Sequence, residues 1–324
     1  MTALPRLYVV MLRYRIAAMV VLFMLLGAAR EGPLELGPRY LFAALALASS
    51  YVAATALNDL ADEEIDRVNH PRDAGRPLVE GTATRRQLFV LHVLASLLGL
   101  CAAAALGWRG VGLLAVALLV SQTYSARPVR LSYRVAGAPI TLGVAYVLVP
   151  YSFGIVAANG TLRHTASALT VALFLLFAAR IMLKDFRDRA GDARYGKPTI
   201  LLRFGKTATC AASLCALAAG DIVLATALPP VLWLFAQPFV LSIAWMLHSL
   251  WQADDPFAEQ VAIGIGARMG NGLLLCALAW FVIEGRGATA METAVLTATV
   301  SVLFFLSFAS LVASPGDAVI GYKG

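Results

Sequence analysis

Residues 40–69 read YLFAALALASSYVAATALNDLADEEIDRVN. Their first part, 40–57, is an apolar run close to the roughly 20 residues that a helix needs to cross a bilayer. The remainder, 58–69, holds five carboxylates. Placing an ionisable group at membrane depth costs free energy. Acids at the end of an apolar helix therefore mark a candidate functional site. This stretch therefore predicts a transmembrane helix with a candidate functional site at one end.

Apolar runs of the same kind recur along the whole chain. Apolar residues make up 60% of the 324 residues and charged residues only 14%, which is typical of an integral membrane protein. No linker or low-complexity stretch divides the runs, so we expect one integral-membrane domain over residues 1–324. We predict an all-α, polytopic membrane helix bundle of nine or ten transmembrane helices over the ranges 16–29, 40–57, 88–106, 111–124, 135–158, 165–183, 208–228, 231–250, 261–283 and 293–312.

The basic residues alternate between the loops of this bundle. The N-terminus and the loops after the second, fourth and sixth predicted helices hold 18 basic residues, whereas the loops between them hold four. Since Lys and Arg favour cytoplasmic loops, this asymmetry predicts that the N-terminus and the acidic cluster lie on the cytoplasmic side. The net charge of +7 follows from these loops. It favours membrane lipid as a partner and does not require nucleic acid.

A second acidic cluster follows the sixth predicted helix. Residues 184–192 read KDFRDRAGD, and their three aspartates lie within about 60° of one helix face, provided that the helix continues through Gly191. The polar side chains of residues 58–69 also share one face, except Glu64, which points away. A basic, glycine-containing loop follows each cluster. We therefore expect two related halves that face a shared cavity and bring the clusters together.

Paired carboxylates indicate a magnesium site. Asp62 and Asp66 repeat the i,i+4 spacing of Asp188 and Asp192, which aims two carboxylates at one point. Mg²⁺ prefers a few carboxylates together with waters and substrate phosphates, so two facing clusters suit a diphosphate held between metal ions. Several basic residues of the same loops could contact phosphate oxygens or could be positive-inside anchors only: Arg76, Arg127, Arg130, Arg187 and Lys197.

Three short motifs resemble those of a known family. Residues 58–66, with the pattern N-x3-D-x3-D, are similar to the first signature of the UbiA superfamily of intramembrane prenyltransferases. Residues 188–196, with the pattern D-x3-D-x3-G, are similar to its second signature. Residues 124–132, YSARPVRLS, resemble the short motif that these proteins carry after helix 4. The three motifs occur in the family's order, and the resemblance covers at least residues 40–205.

The resemblance implies a bundle of helices around a central cavity, in which Asp-bound Mg²⁺ holds an isoprenyl diphosphate. By position in the motifs, the metal ligands would be Asn58, Asp62, Asp66, Asp188 and Asp192, and the four aspartates would be the catalytic groups. The substrate-binding residues would be Asn58, Arg76, Tyr124, Arg130, Arg187 and Lys197. One departure is Lys184, because many members carry a tyrosine four residues before the second signature.

The resemblance implies Mg²⁺-dependent transfer of an isoprenyl group from its diphosphate to a lipophilic acceptor within the membrane. Aromatic side chains could stabilise the allylic cation through cation–π contacts. The candidates by position are Tyr51, Tyr124, Tyr146, Tyr151 and Phe153. The alternative is a terpene cyclase of the same family, which ionises the diphosphate and cyclises the chain without an acceptor. A transporter with an acidic cation site is disfavoured because both clusters lie at helix ends beside Arg and Lys, whereas transporter sites lie near the midplane.

Overall fold

The computed structural model describes residues 3–32, 34, 37–71 and 75–286, with isolated positions between 290 and 305. All regular structure in these residues is helical, which confirms the predicted all-α class. The α-helices are α1 (Leu4–Leu12), α2 (Tyr14–Ala29), α3 (Pro38–Asn69), α4 (Arg85–Ala104), α5 (Trp108–Ser125), α6 (Gly137–Gly143), α7 (Val149–Ala157), α8 (Ala168–Met182), α9 (Asp185–Arg194), α10 (Ile200–Ala227), α11 (Pro230–Gln252) and α12 (Pro256–Arg286).

Six helical segments in the described residues are long and apolar enough to cross a membrane. They are Pro38–Asn69, Arg85–Ala104, Gly137–Ala157, Ile200–Ala227, Pro230–Gln252 and Pro256–Glu284. A seventh is present if α1 and α2, which meet at a bend of 66°, count as one span. Helix α8 is apolar but shorter, and the predicted span 293–312 falls largely outside the described residues. The chain is thus an integral membrane protein, and the number of nine or ten spans stays a prediction.

The bend between α1 and α2 lays α1 against α3, the helix that carries the first acidic cluster. Arg13 stands at the bend in a left-handed conformation, with a φ of 44°. Leu7 and Met11 of α1 are buried, and the Thr55 hydroxyl of α3 donates to the carbonyl oxygen of Met11 at 3.1 Å. Helix α1 therefore forms part of the inner wall of the bundle.

Small residues allow α2 and α7 to pack backbone against backbone. A side chain at Gly154 would overlap the carbonyl oxygen of Met24, and one at Gly27 would overlap that of Tyr151. Between α6 and α7 the helix takes one wider, π-helical turn, Val144–Leu148, which carries Tyr146. Such turns re-aim side chains within a helix and are frequent at functional sites.

The acidic helix ends have the faces that the spacing predicts. In α3, Asp59, Asp62 and Asp66 are buried, whereas Glu64 is exposed. Helix α9 continues through Gly191 to Arg194, so its three aspartates share one helix. The two acidic faces pack against each other, because α3 and α9 are in contact. The predicted meeting of the clusters is therefore confirmed.

Candidate functional site

A cavity of about 590 Å³ lies at the centre of the bundle. Most of its wall is apolar, with side chains from α1, α2, α3, α5, α8 and α12. One end is polar and charged, next to the contact between α3 and α9. The polar lining of that end consists of Arg13, Asn58, His70, Arg76, Tyr124, Lys184, Arg187 and Asp188.

Two arginines neutralise the start and the end of the first acidic cluster. Arg76 forms ion pairs with Asp59 and with Asp66, the latter at 2.7 Å. Arg13 contacts the same Asp59 oxygen at 3.3 Å and donates to the carbonyl oxygen of Gly75 at 3.3 Å. Asp59 thus joins the N-terminal bend to the loop after α3. Both guanidinium groups also line the cavity, so they lie where an anion could meet them.

Asp62 is the centre of a second ion-pair network, which bridges the two clusters. It accepts from Arg130 at 2.8 Å and from the Asn58 amide at 3.1 Å. Lys197 lies 3.8 Å from Asp62 and 3.5 Å from Asp192, so one ammonium group joins the acids of α3 and α9. Burying carboxylates is tolerable here because each has a counter-ion.

The helices α3 and α9 are also joined directly. The backbone N–H of Gly191 donates to the side-chain oxygen of Asn69 at 2.7 Å. Next to it, His70 Nε2 lies 3.3 Å from Asp188 Oδ1. A Cβ at position 191 would lie 2.7 Å from the Asn69 side chain. The hydrogen bond between Asn69 and α9 therefore depends on glycine at this position.

We expect Gly191→Ala to weaken the link between the two acidic clusters. The added methyl group must displace the Asn69 side chain and break its hydrogen bond to the backbone of position 191, at a cost of about 1–3 kcal/mol for an overpacked contact. The midpoint of thermal unfolding in detergent should fall, and activity should fall with it. Ala193→Gly, at an exposed position of the same helix, is the control for the change in helix propensity. Unchanged stability and activity in Gly191→Ala would contradict this role.

Electrostatics separates the three aspartates of α9. Burial would raise the pKa of Asp188, but Arg187 at 2.9 Å and His70 outweigh it and hold that pKa well below its usual range. Burial raises the pKa of Asp192 to about 6, against the opposing effect of Lys197, and raises that of Asp185 to about 7, against Lys184. Arg187 and His70 therefore favour the ionised form of Asp188, whereas burial favours the neutral forms of Asp185 and Asp192.

The oxygen donors of the two acidic clusters suit a metal ion whose coordination shell is completed by oxygen atoms of the substrate. Within the described residues, no three histidine, cysteine, aspartate or glutamate side chains converge closely enough to hold a metal by themselves. The acids instead come in pairs on two facing helices, next to an open cavity. Mg²⁺ is commonly bound by one or two carboxylates plus waters and phosphate oxygens. The residues present thus fit Mg²⁺ bound together with a diphosphate.

The structure divides the predicted site residues into two layers. Asn58, Arg76, Tyr124, Arg187 and Asp188 line the cavity. The remaining predicted residues lie behind them in the ion pairs described above: Asp62, Asp66, Arg130, Asp192 and Lys197.

Sequence reasoning missed cavity residues whose position depends on tertiary contacts. The sequence predicts for Arg13 only a role in fixing the orientation of the chain in the membrane. No sequence pattern indicates that His70 belongs to the site. Lys184 stood out as a departure from the family pattern, but the sequence does not show that it lines the cavity.

Three aromatic side chains lie next to one another in the cavity wall. The rings of Tyr51 and Tyr146 are 5.9 Å apart, and those of Tyr146 and Phe177 are 5.6 Å apart. All three residues line the cavity. Tyr151 and Phe153, the other aromatic candidates from the sequence, are buried in the helix packing and do not belong to the lining.

A sequence profile of the UbiA prenyltransferase family matches residues 17–270. This range includes both acidic clusters and most of the cavity wall. The chain belongs to the UbiA prenyltransferase family.

Curated relatives agree with this membership. The chain is 30% identical over 155 residues to a digeranylgeranylglyceryl phosphate synthase of Pyrococcus horikoshii, which covers 48% of the chain and 52% of the relative. It is 24% identical over 236 residues to the bacteriochlorophyll synthase 33 kDa chain of Rhodobacter capsulatus, over 69% of the chain and 75% of the relative. The match thus spans about half the length of the first of these relatives.

Solved structures show the same fold. An apo UbiA homologue from Aeropyrum pernix K1 superposes with a TM-score of 0.68 at 21% identity, over 83% of this chain and 97% of that one. A UbiA homologue from Archaeoglobus fulgidus bound to GPP and Mg²⁺ superposes with a TM-score of 0.65 at 17% identity, over 85% and 99%. At these identities the likeness establishes the architecture of the bundle.

Proposed function

We propose that the protein is a Mg²⁺-dependent prenyltransferase, which moves an isoprenyl group from its diphosphate to a lipophilic acceptor within the membrane. The observation that carries this proposal is a single cavity with an apolar body and one charged end, where two acidic helices meet. The shape and polarity match an isoprenyl diphosphate, whose head is anionic and whose tail is apolar. The structure with GPP and Mg²⁺ shows that a protein of this fold binds such a ligand.

The diphosphate would lie at the charged end. Arg76 and Arg187 reach the cavity from the two acidic helices or their loops, and guanidinium groups bind phosphate oxygens by two parallel hydrogen bonds. Lys184 adds an ammonium group: burial would lower its pKa, but Tyr124 and Asp188 nearby raise it above the usual value. These cations would hold the diphosphate in the ground state and neutralise the charge that develops on it as the C–O bond breaks.

The metal-binding residues of this proposal are those of the two signatures. Asn58, Asp62 and Asp66 would serve one half of the site, and Asp188 and Asp192 the other. Mg²⁺ held by these residues would act as a Lewis acid toward the leaving diphosphate. Asp188 is best placed of these acids, since it is ionised and faces the cavity.

The apolar body of the cavity would take the isoprenyl chain and protect the reacting carbon from water. As the allylic C–O bond breaks, its electrons leave with the diphosphate and the positive charge spreads over the allyl group. The rings of Tyr51, Tyr146 and Phe177 line the cavity and can stabilise the positive charge of the allyl group through cation–π contacts. The acceptor then forms the new bond to carbon and loses a proton to solvent or to the diphosphate.

Product analysis tests this proposal against the cyclase alternative. Purified protein would be incubated with Mg²⁺, isoprenyl diphosphates of several chain lengths and a membrane-lipid extract, and the products identified by mass spectrometry. Products that contain an acceptor support transfer, whereas cyclic hydrocarbons formed without one would overturn it. The names of the relatives describe synthases of acceptor-containing products and lend the cyclase no support.

Arg187→Gln tests the contact with the diphosphate. Because that contact exists both before and during bond cleavage, we expect KM to rise and kcat to fall together. A charge-assisted hydrogen bond of about 1.5–3 kcal/mol corresponds to a loss of roughly 10- to 150-fold in kcat/KM. Arg194→Gln, an exposed arginine of the same helix, is the matched control and should stay within about twofold. Equal kinetics in the two variants would remove Arg187 from the proposed site.

The proposal also places one domain over residues 1–324, with the N-terminus and the charged end of the cavity on the cytoplasmic side. In a variant whose four cysteines are replaced, a cysteine at Ala193 should react with a membrane-impermeant thiol reagent only from the cytoplasmic face. A cysteine at Asn159, in the loop between α7 and α8, should react only from the opposite face. The reverse labelling pattern would contradict this orientation.

A further inference from the structure

Glu259 is a buried carboxylate that lies behind the second acidic cluster. It belongs to the first turn of α12, is 4% exposed and lies outside the cavity lining. Its two oxygens meet cations of two other helices: Oε2 lies 2.9 Å from Arg189 of α9, and Oε1 lies 3.5 Å from Lys206 of α10. A buried carboxylate is tolerated only with such partners. Glu259 therefore ties three helices together behind the site.

The start of α12 gives this carboxylate a firm support. Asp255 accepts hydrogen bonds from the backbone N–H groups of Phe257 and Ala258, at 2.8 and 2.9 Å, which caps the helix. In the loop before it, the carbonyl oxygen of Ala253 accepts from Lys206 at 2.6 Å. The first turn of α12 is thus fixed both by its own cap and by α10.

Helix α9 needs support from outside because it is short and does not continue α8 directly. It has ten residues, and the backbone N–H groups of Leu183 and Lys184, between the two helices, bond three residues back, as in a 3₁₀ turn. Its ion pairs toward α3 contain signature aspartates, and under the proposed function these pairs change when metal and diphosphate bind. The pair of Arg189 and Glu259 contains no signature aspartate, so it can persist through that change.

We propose that Glu259 is a positioning residue: through Arg189 it fixes the rotation of α9 about its axis and keeps Asp188 directed into the cavity while the counter-ions of Asp188 are exchanged. This inference rests on the proposed function, in which Asp188 binds Mg²⁺. Arg189 follows Asp188 directly, so their side chains project about 100° apart on the helix. A guanidinium group held against α12 therefore sets the direction of the carboxylate. Arg189 also lies 5.5 Å from the ring of the buried Phe186, which restricts it further.

The affinity for a paramagnetic metal ion tests this role without turnover. Mn²⁺ takes the same oxygen ligands as Mg²⁺, and electron paramagnetic resonance measures the unbound ion in a titration. A saturating isoprenyl thiolodiphosphate, which resists cleavage, accompanies the metal. We expect Arg189→Gln to raise the Kd of Mn²⁺ about 10-fold, the lower end of the range for residues that orient metal ligands. Lys206 remains beside Glu259 in this variant, so the fold should survive. Arg189→Lys keeps the cation and should restore part of the affinity.

The opposite charges of the two partners separate positioning from long-range electrostatics. Arg189→Gln removes a positive charge, which by itself would tighten the binding of a cation, whereas Glu259→Gln removes a negative charge and would weaken it. A positioning role predicts that the Kd rises in both variants. It also predicts that the double variant binds Mn²⁺ no more weakly than the weaker of the two, because both changes remove one tie. Opposite shifts of Kd in the two single variants would overturn the proposal.

Two controls test whether a general loss of stability explains the result. Arg194→Gln makes the same change of charge at an exposed site of α9, and Lys206→Gln removes the other cation of Glu259 but leaves the tie to α9. Both should keep the Kd of Mn²⁺ within about twofold of the wild type, even if the thermal unfolding midpoint in detergent falls. An equal rise of Kd in Lys206→Gln would overturn the positioning role. An unchanged Kd in both Arg189→Gln and Glu259→Gln would do so too, and would leave a purely structural ion pair.

The same experiment distinguishes failure of this inference from failure of the proposed function. The expected rise of Kd in a protein that yields no transfer product would support the positioning role and contradict the proposed function. A wild-type protein that binds no Mn²⁺ together with the thiolodiphosphate would overturn both.

Discussion

Asp188→Asn is expected to abolish most of the prenyl transfer, with a loss of about 10²- to 10³-fold in kcat/KM, which is typical for the removal of one charged group that stabilises a transition state. Asparagine keeps the shape of the side chain and a hydrogen bond for His70, so the variant removes charge with little change of packing. The ionised Asp188 faces the cavity, and its proposed role is to bind Mg²⁺. Initial rates at saturating Mg²⁺ measure the effect.

Glu64→Gln is the control for Asp188→Asn, because it also replaces a carboxylate by an amide. Glu64 belongs to the first acidic cluster but is exposed. This variant should stay within about twofold of the wild type. Asp62→Ala is a poorer test, because it removes the whole side chain as well as the charge that pairs with Arg130 and Lys197. Loss of one partner of a buried ion pair costs about 3–5 kcal/mol of stability. Asp188→Asn also removes the ionic partner of Arg187, so its thermal unfolding midpoint is measured together with its rate. An Asp188→Asn enzyme with more than half of the normal rate would remove this residue from the proposed metal site.

Removal of divalent metal should have the largest effect. With EDTA in excess, we expect activity to fall by at least about 10³-fold and to return when Mg²⁺ is restored, since the carboxylates of the site have no other role toward a diphosphate. Hexaamminecobalt(III), which cannot exchange its ligands, should not restore activity. The thermal unfolding midpoint should change little, because arginine and lysine already neutralise the buried acids. Full activity in EDTA would exclude the metal-dependent mechanism.

The periodic parts of the site could be predicted from the sequence. The i,i+4 spacing predicts that Asp62 and Asp66 share a face, and both are buried on the side of α3 that meets α9. The exposure of Glu64 follows from the same periodicity. The continuation of α9 through Gly191 is a condition of the prediction, and the structure fulfils it. These features depend only on helical geometry, which is local.

The partners of the acids could not be predicted, because they come from loops and from distant helices. Spacing along the chain does not indicate that Arg13 reaches Asp59, 46 residues away. The family resemblance implies that Arg130 and Lys197 bind substrate, and the structure places them against Asp62 and Asp192. Composition also could not indicate the bend between α1 and α2 or the wide turn at Tyr146, and these features shape the cavity wall.

Each aspartate of the two signatures is paired with an arginine, lysine or histidine, and this pairing has a consequence for how the protein matures. A membrane protein must insert and pack before it meets metal or substrate, and unpaired carboxylates in that period would oppose insertion. Arg76, Arg130 and Lys197 act as internal counter-ions during that time. Under the proposed function, Mg²⁺ and diphosphate would bind together as a nearly neutral salt, so the site would exchange one set of ion pairs for another with little change in its net charge.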